Sequence, residues 1–231
     1  MNILYQDDYF FAIDKPSGYF VHPPELSPYP VPREKICLYQ LRKMMNQEVF
    51  PAHRLDAPTS GVLLWAKSRA GARELGRLFM DREVKKTYKA VVRGFVEDEG
   101  VIDLPLEVDD EGSLVEAQTS YKTLARIELP FAVGKKYPTS RYSLVEVSPL
   151  TGRWHQIRRH FDRIAHPLLG DIEHGDSHHN RFFRDELKIQ GLCLKATRIE
   201  LTHPWSGENV QIDALPCDKW AHIEKLFSPR L

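Results

Sequence analysis

The spacing of extended and helical segments constrains the fold of this chain most. Lys86-Thr87-Tyr88-Lys89-Ala90-Val91-Val92 is rich in β-branched and aromatic residues in alternation, the mark of a pleated, half-buried strand. Further strand patterns fall at Ile3–Tyr5, Tyr9–Ile13, 61–67, Thr119–Leu129, Arg141–Ser148, Leu192–Thr202 and Val210–Ala214. Helical patterns occupy Glu34–Met45, Ala70–Phe79, Gly152–Ala165 and Asp218–Phe227. Helices do not regularly separate the strands, so the order predicts an α+β fold with a mixed, mainly antiparallel sheet rather than βαβ units. On the 152–165 helix, Trp154, Ile157, Phe161 and Ile164 are expected on one face, with His155, Arg158, Arg159 and Asp162 opposite.

With 231 residues, 42% of them hydrophobic, and no repeat or clear linker, the chain is expected to form a single domain over residues 1–231. No apolar run approaches the roughly 20 residues that cross a bilayer, and the N-terminus has neither a basic flank nor a signal-peptide core. A cytoplasmic, membrane-free protein is the expectation. Cys37, Cys193 and Cys217 are odd in number and widely spaced, so they are read as reduced thiols rather than a disulfide framework or a zinc site.

The 32 basic and 32 acidic side chains cancel, which excludes nucleic-acid binding through net charge alone. Their distribution is uneven. Asp81–Arg93 is basic through Arg82, Lys85, Lys86, Lys89 and Arg93, and Arg153–Arg163 adds Arg158, Arg159, His155 and His160. Residues 97–116 carry carboxylates and no Lys or Arg. Each run fits a solvated face, and the two basic runs also fit the lining of one groove, with the acidic segment turned away.

Several chemistries have no support. G-x-S-x-G, the P-loop and the dinucleotide fingerprint are absent, and Gly71–Gly76 has the wrong spacing. Around His174-Gly175-Asp176-Ser177-His178-His179, with Asp171 and Glu173 near, no helical His pairing or outlying ligand is evident. Gly175 and Asn180 suggest a solvated loop there, and no metal or cofactor is expected.

His53-Arg54-Leu55-Asp56-Ala57-Pro58-Thr59-Ser60-Gly61, running into Val62–Ala66, places an anion and a cation on a short connection beside a strand. Alone it fits a surface salt-bridge cluster equally well. Together with Lys15-Pro16-Ser17-Gly18, Val21-His22, Lys86–Ala90 through Gly94, Thr151-Gly152-Arg153-Trp154-His155-Gln156-Ile157-Arg158-Arg159-His160 and His166–Asp171, it resembles the large-subunit-type pseudouridine synthases. The resemblance extends through the Leu192–Pro204 stretch. It departs at Ala57, where the family often has a basic or polar residue, and no separate N-terminal RNA-binding domain is seen.

The resemblance implies a cofactor-free isomerase that acts on RNA. By it Asp56 is the nucleophile, attacking C6 of the base or C1′ of the ribose, and Arg158 keeps that carboxylate ionised, unless it serves only a fold-stabilising ion pair. Tyr88 stacks on the uracil or takes the C5 proton, and Arg54 fills the space left by a flipped nucleotide. Lys86, Lys89, Arg153 and Arg159 are expected phosphate contacts. Neighbourhoods at Tyr137–Tyr142 and His174–Asp176 more narrowly resemble the members that modify tRNA at uridine 65, with the Lys135-Lys136 loop tuning substrate choice. A monomer without obligate protein partner is expected. The alternatives are ribosomal-RNA specificity, a catalytically silent RNA-binding protein, and a hydrolase that uses an aspartate nucleophile.

Overall fold

Asp7 turns the first hairpin by accepting the amides of Tyr9 and Phe10 on Oδ1 at 2.6 and 2.9 Å. This pairs β1 (Asn2–Gln6) with β2 (Phe10–Lys15), where strands are expected at Ile3–Tyr5 and Tyr9–Ile13. The computed structural model describes residues 1–24, 30–108, 112–134 and 137–228. Residues 25–29, Asp109–Glu111 and the Lys135-Lys136 pair lie outside the described residues. Two compact units are formed, Met1–Lys86 with Lys195–Leu215, and Thr87–Leu194 with the chain from Pro216 onward.

In the first unit, Phe20 forms a parallel bridge with Ile36 and accepts the amide of Cys37 at 2.8 Å. That bridge holds Ile36 extended, with φ −114°. The helix predicted from Glu34 is therefore a 3-10 turn, Arg33–Lys35, followed by α1 (Cys37–Met45). After the short strand β3 (Phe50–Pro51), β4 (Ser60–Ala66) pairs antiparallel with β2 and β3. Ser68 caps α2 (Arg69–Met80), its Oγ accepting from the Gly71 amide at 3.0 Å.

β5 (Lys85–Arg93) leads into the second unit. There follow β6 (Glu99–Asp103), β7 (Leu106–Glu107), β8 (Leu114–Val115), β9 (Gln118–Leu129), β10 (Ser140–Pro149), α3 (Gln156–Arg163) and α4 (Ser177–Asp185). β10 runs antiparallel to both β5 and β9, and β9 pairs with β6. The chain returns to the first unit as β11 (Leu194–Thr202) and β12 (Asn209–Asp213), then closes the second with α5 (Asp218–Phe227). The α+β expectation holds, and β4 and β11 form a parallel pair among antiparallel ones.

Each unit has its own apolar core. Phe10, Val62, Leu64, Leu75, Leu78, Ile199 and Ile212 pack in the first, and Val91, Tyr142, Leu144, Phe183, Trp220, Ile223 and Phe227 in the second. Burial of this many large side chains, at roughly 1.5–3 kcal/mol each, is the main stabilising term.

The predicted 152–165 helix is shorter. The Gln156 side chain accepts from Thr151 Oγ1 at 2.6 Å and from the Arg153 amide at 3.0 Å, which holds Thr151–Trp154 as a loop, and His155 is left-handed at φ 49°. Its faces also differ from expectation. Ile157 and Phe161 are buried, but so are Arg158 and His160, whereas Trp154 is 60% exposed. Where the sequence predicts a solvated loop the chain forms α4, which Asp176 caps by accepting from the amides of His178 and His179. The acidic segment contains β6, β7 and β8 and does not turn away from the basic run. Arg153 Nε, Arg159 Nη1 and Arg163 Nη1 donate to the carbonyls of Glu116, Glu107 and Pro105 at 3.1, 3.0 and 2.6 Å.

Candidate functional site

Arg54, Asp56 and Lys86 fall in the first unit; Tyr88, Lys89, Arg153, Arg158 and Arg159 fall in the second. In the first, Asp56 sits on the loop between β3 and β4, its carbonyl accepting from the Thr59 amide at 3.0 Å. The Lys15–Gly18 turn grips the residues that follow. The Ala57 carbonyl accepts from the Gly18 amide at 2.7 Å and from Lys15 Nζ at 3.0 Å, and the Pro58 carbonyl accepts from Ser17 Oγ at 2.7 Å.

Lys15 is completely buried and also donates to the carbonyls of Pro16 and Tyr19 at 3.1 and 2.7 Å. Burial pulls its amine down to about 8, against the upward pull of Cys37 and Asp56. The sequence names this lysine only as a member of a motif shared with the family it resembles. Its position in the Lys-Pro-Ser-Gly motif was the available signal, but a buried role was not legible in it.

Gly61 fixes the other end of the loop. At φ +112°, a Cβ would lie 1.9 Å from the Ala196 carbonyl oxygen, so only glycine lets β4 run beside β11 here. His53 stabilises the near end, its Nε2 accepting from the Leu64 amide at 3.1 Å and its ring packing 4.4 Å from that of Phe79. Burial, helped by the Lys86 charge, drives this imidazole down to about 3, so it is neutral. Burial and Arg82 likewise lower the Lys86 amine to about 8. Arg54 is exposed, and its guanidinium pairs with no carboxylate among the described residues.

In the second unit, Tyr88 is buried on β5 opposite Val147 of β10. Lys89 points to the other face of the strand and pairs with Glu224 of α5 at 2.6 Å. Arg158 is 1% exposed and held in a fork. Its Nε and Nη2 donate to Asp171 Oδ2 and Oδ1 at 2.6 and 2.7 Å, and Nη2 reaches Glu173 Oε1 at 3.0 Å. Asp171 Oδ1 also accepts the amides of Glu173 and His174 at 3.0 and 3.1 Å. Burial pushes the Asp171 carboxyl up, but Arg158 and these two amides outweigh it and hold the group below its ordinary value. This anchoring role is a second one that sequence reading did not assign.

His155 Nδ1 lies 3.0 Å from His174 Nε2, and Glu173 Oε2 lies 3.5 Å from the same His155 nitrogen. These three residues could hold a metal ion, their donor atoms lying within 4.8 Å of one another. The outlying ligand that was not evident around His174 is thus His155, brought in from the α3 cap. In the structure the two rings satisfy each other and Glu173 is engaged by Arg158.

The first unit thus holds a tightly tied Asp56 loop, and the second a buried, aspartate-bound guanidinium and a buried strand tyrosine. The model of the family described as RNA pseudouridylate synthase matches residues 9–163. tRNA pseudouridine synthase C of Vibrio parahaemolyticus serotype O3:K6 is 41% identical over 98% of this chain and 95% of that protein. Its namesake in Pasteurella multocida is 42% identical over 98% and 96%. In fold, the chain is similar to human RNA Pseudouridylate Synthase Domain Containing 4, with a TM-score of 0.71 and 24% identity over 97% of this chain and 92% of that one. With an end-to-end match to its relatives and a family model spanning most of its length, the chain belongs to the RNA pseudouridylate synthase family.

Proposed function

We propose that the protein is a tRNA pseudouridine synthase that isomerises the uridine at position 65, with Asp56 as its nucleophile. The near-complete similarity to proteins named tRNA pseudouridine synthase C supports the substrate class. The observation that carries the site is the grip of the Lys15–Gly18 turn on the Ala57 and Pro58 carbonyls, which fixes the backbone next to Asp56. A nucleophile must be held within a fraction of an ångström of its target, and a loop tied at both ends does this.

The reaction breaks the bond from N1 to C1′ and forms one from C5 to C1′. The carboxylate of Asp56 adds to the nucleoside, at C6 or at C1′, and is expelled when the new bond is complete. Tyr88 stacks on the uracil, and its oxygen relays the proton that leaves C5 while N1 takes one up. Substrate and product are isomers, so no donor or oxidant is consumed. Arg158, locked by Asp171 and Glu173, offers a charge that needs no reorganisation during reaction.

A base-paired uridine must leave its stack, which costs a few kcal/mol. The exposed, uncommitted guanidinium of Arg54 suits the vacated space. Lys86, Lys89, Arg153 and Arg159 contact phosphates, with RNA displacing the Glu224 and Glu107 carboxylates from Lys89 and Arg159.

The test incubates the protein with a tRNA transcript and, separately, a ribosomal RNA fragment, and maps pseudouridine in both. Product at tRNA position 65, absent with Asp56→Asn although that variant still binds the tRNA, is the expected result. Product only in the ribosomal fragment overturns the substrate, product formed by Asp56→Asn overturns the nucleophile, and RNA binding without product from the wild type overturns catalysis.

A further inference from the structure

We infer that Trp154 is a stacking platform for a nucleobase of the RNA substrate. The inference rests on the reading of the protein as an RNA-modifying enzyme and adds a contact to it. Trp154 is 60% exposed, although a ring of this size is ordinarily covered. Its orientation is nonetheless fixed. The indole lies 3.9 Å from the His155 ring at an interplanar angle of 20°.

His155 is itself immobilised. It is buried, begins α3 from a left-handed backbone, bonds His174 through Nδ1 and meets the His174 ring edge-on at 84°. The loop that presents Trp154 is held by the Gln156 side chain at Thr151 and Arg153. A stacked pair of rings, backed by a third, thus offers a preorganised π surface to solvent. Holding it in place before binding removes much of the ordering cost of association.

The surroundings select the ligand. The Arg159 guanidinium carbon lies 5.7 Å from the centre of the Trp154 ring. Among the described residues, Arg153 uses only Nε on the Glu116 carbonyl, and Arg159 only Nη1 on that of Glu107, with a long 4.0 Å approach of Nη2 to the Glu107 carboxylate. Each keeps donors for a phosphate. An exposed indole with one arginine over its ring and a second next to it in sequence matches an unstacked base flanked by its backbone, because every base presents a π face and every linkage an anion.

Three variants separate stacking from packing. Trp154→Phe keeps an aromatic face, Trp154→Leu keeps apolar bulk without one, and Trp154→Ala removes both. Each is assayed on a tRNA transcript for binding and for pseudouridine formation, with circular dichroism to confirm folding. Trp154→Leu and Trp154→Ala are expected to weaken tRNA binding and raise KM about tenfold, the size of one lost base–aromatic stack, with kcat within about twofold. Trp154→Phe is expected to stay within about threefold of wild type. Tryptophan emission should be quenched on adding tRNA to the wild type and much less so in Trp154→Phe. Wild-type binding by Trp154→Leu, or equal losses in the Phe and Leu variants, would falsify the platform while leaving the enzyme reading intact. A wild type that neither binds nor modifies tRNA would instead overturn the functional reading itself, and this inference with it.

Discussion

Arg158 and Asp171 form a two-point ion pair inside the second unit, with their side chains 1% and 0% exposed. Removing one member of such a pair leaves the other charge buried and uncompensated, at about 3–5 kcal/mol. Asp171→Ala is therefore expected to lower the urea midpoint sharply. Asp171→Asn keeps one acceptor and the shape, and is expected to fold with a smaller loss. In Asp171→Asn, kcat should fall more than tenfold with KM little changed, because the guanidinium remains but loses its fixed orientation. A variant whose kcat matches wild type would show that Asp171 positions nothing.

Lys15 ties three carbonyls of the first unit together, and one of them belongs to the residue after Asp56. Lys15→Met keeps the length and apolar stem but leaves those acceptors without their donor, at about 1–3 kcal/mol for each left unsatisfied. The expected result is a folded, less stable protein whose kcat drops at least tenfold while tRNA binding is retained. Equal losses in binding and turnover would contradict a role confined to the Asp56 loop.

His53 gives the first unit an acid sensitivity of definite sign. Its folded value near 3 lies below the ordinary 6.5 of an imidazole, so between those values the unfolded chain binds the extra proton. Stability from this group is complete above about pH 6.5 and declines as pH falls toward 3. His53→Gln, which offers the Leu64 amide an oxygen and does not titrate, is expected to show a shallower loss of stability between pH 6.5 and 5 in urea titrations. A parallel slope in the two proteins would rule out His53 as the source.

Strands are legible in β9 through alternating burial, and in β5 and β10, which are buried on both faces over much of their length, through their β-branched and aromatic residues. α4 was missed because Gly175 and Asn180 were weighted above Asp176, whose side chain starts the helix, and above Phe182 and Phe183, which bury it. Charged residues were the other blind spot. The sequence places Arg158 on the face opposite the apolar one, yet its burial is decided by Asp171, thirteen residues on, and composition carries no trace of that pairing. The burial of Lys15 is illegible for the same reason, since its most distant acceptor is at Ala57. The motif residues themselves were all visible; what they hold, and what holds them, depended on long-range partners.

The Gly61 to Ala196 contact has a consequence for how the chain is made. Ribosomal synthesis delivers residue 61 early, but its parallel neighbour emerges only after the whole stretch from Thr87 to Leu194. Until then the apolar β4 lacks that neighbour and waits as a nascent edge, the kind of segment on which chaperones act. A chain that ends before residue 195 therefore lacks the neighbour that β4 needs beside Ser60 and Gly61.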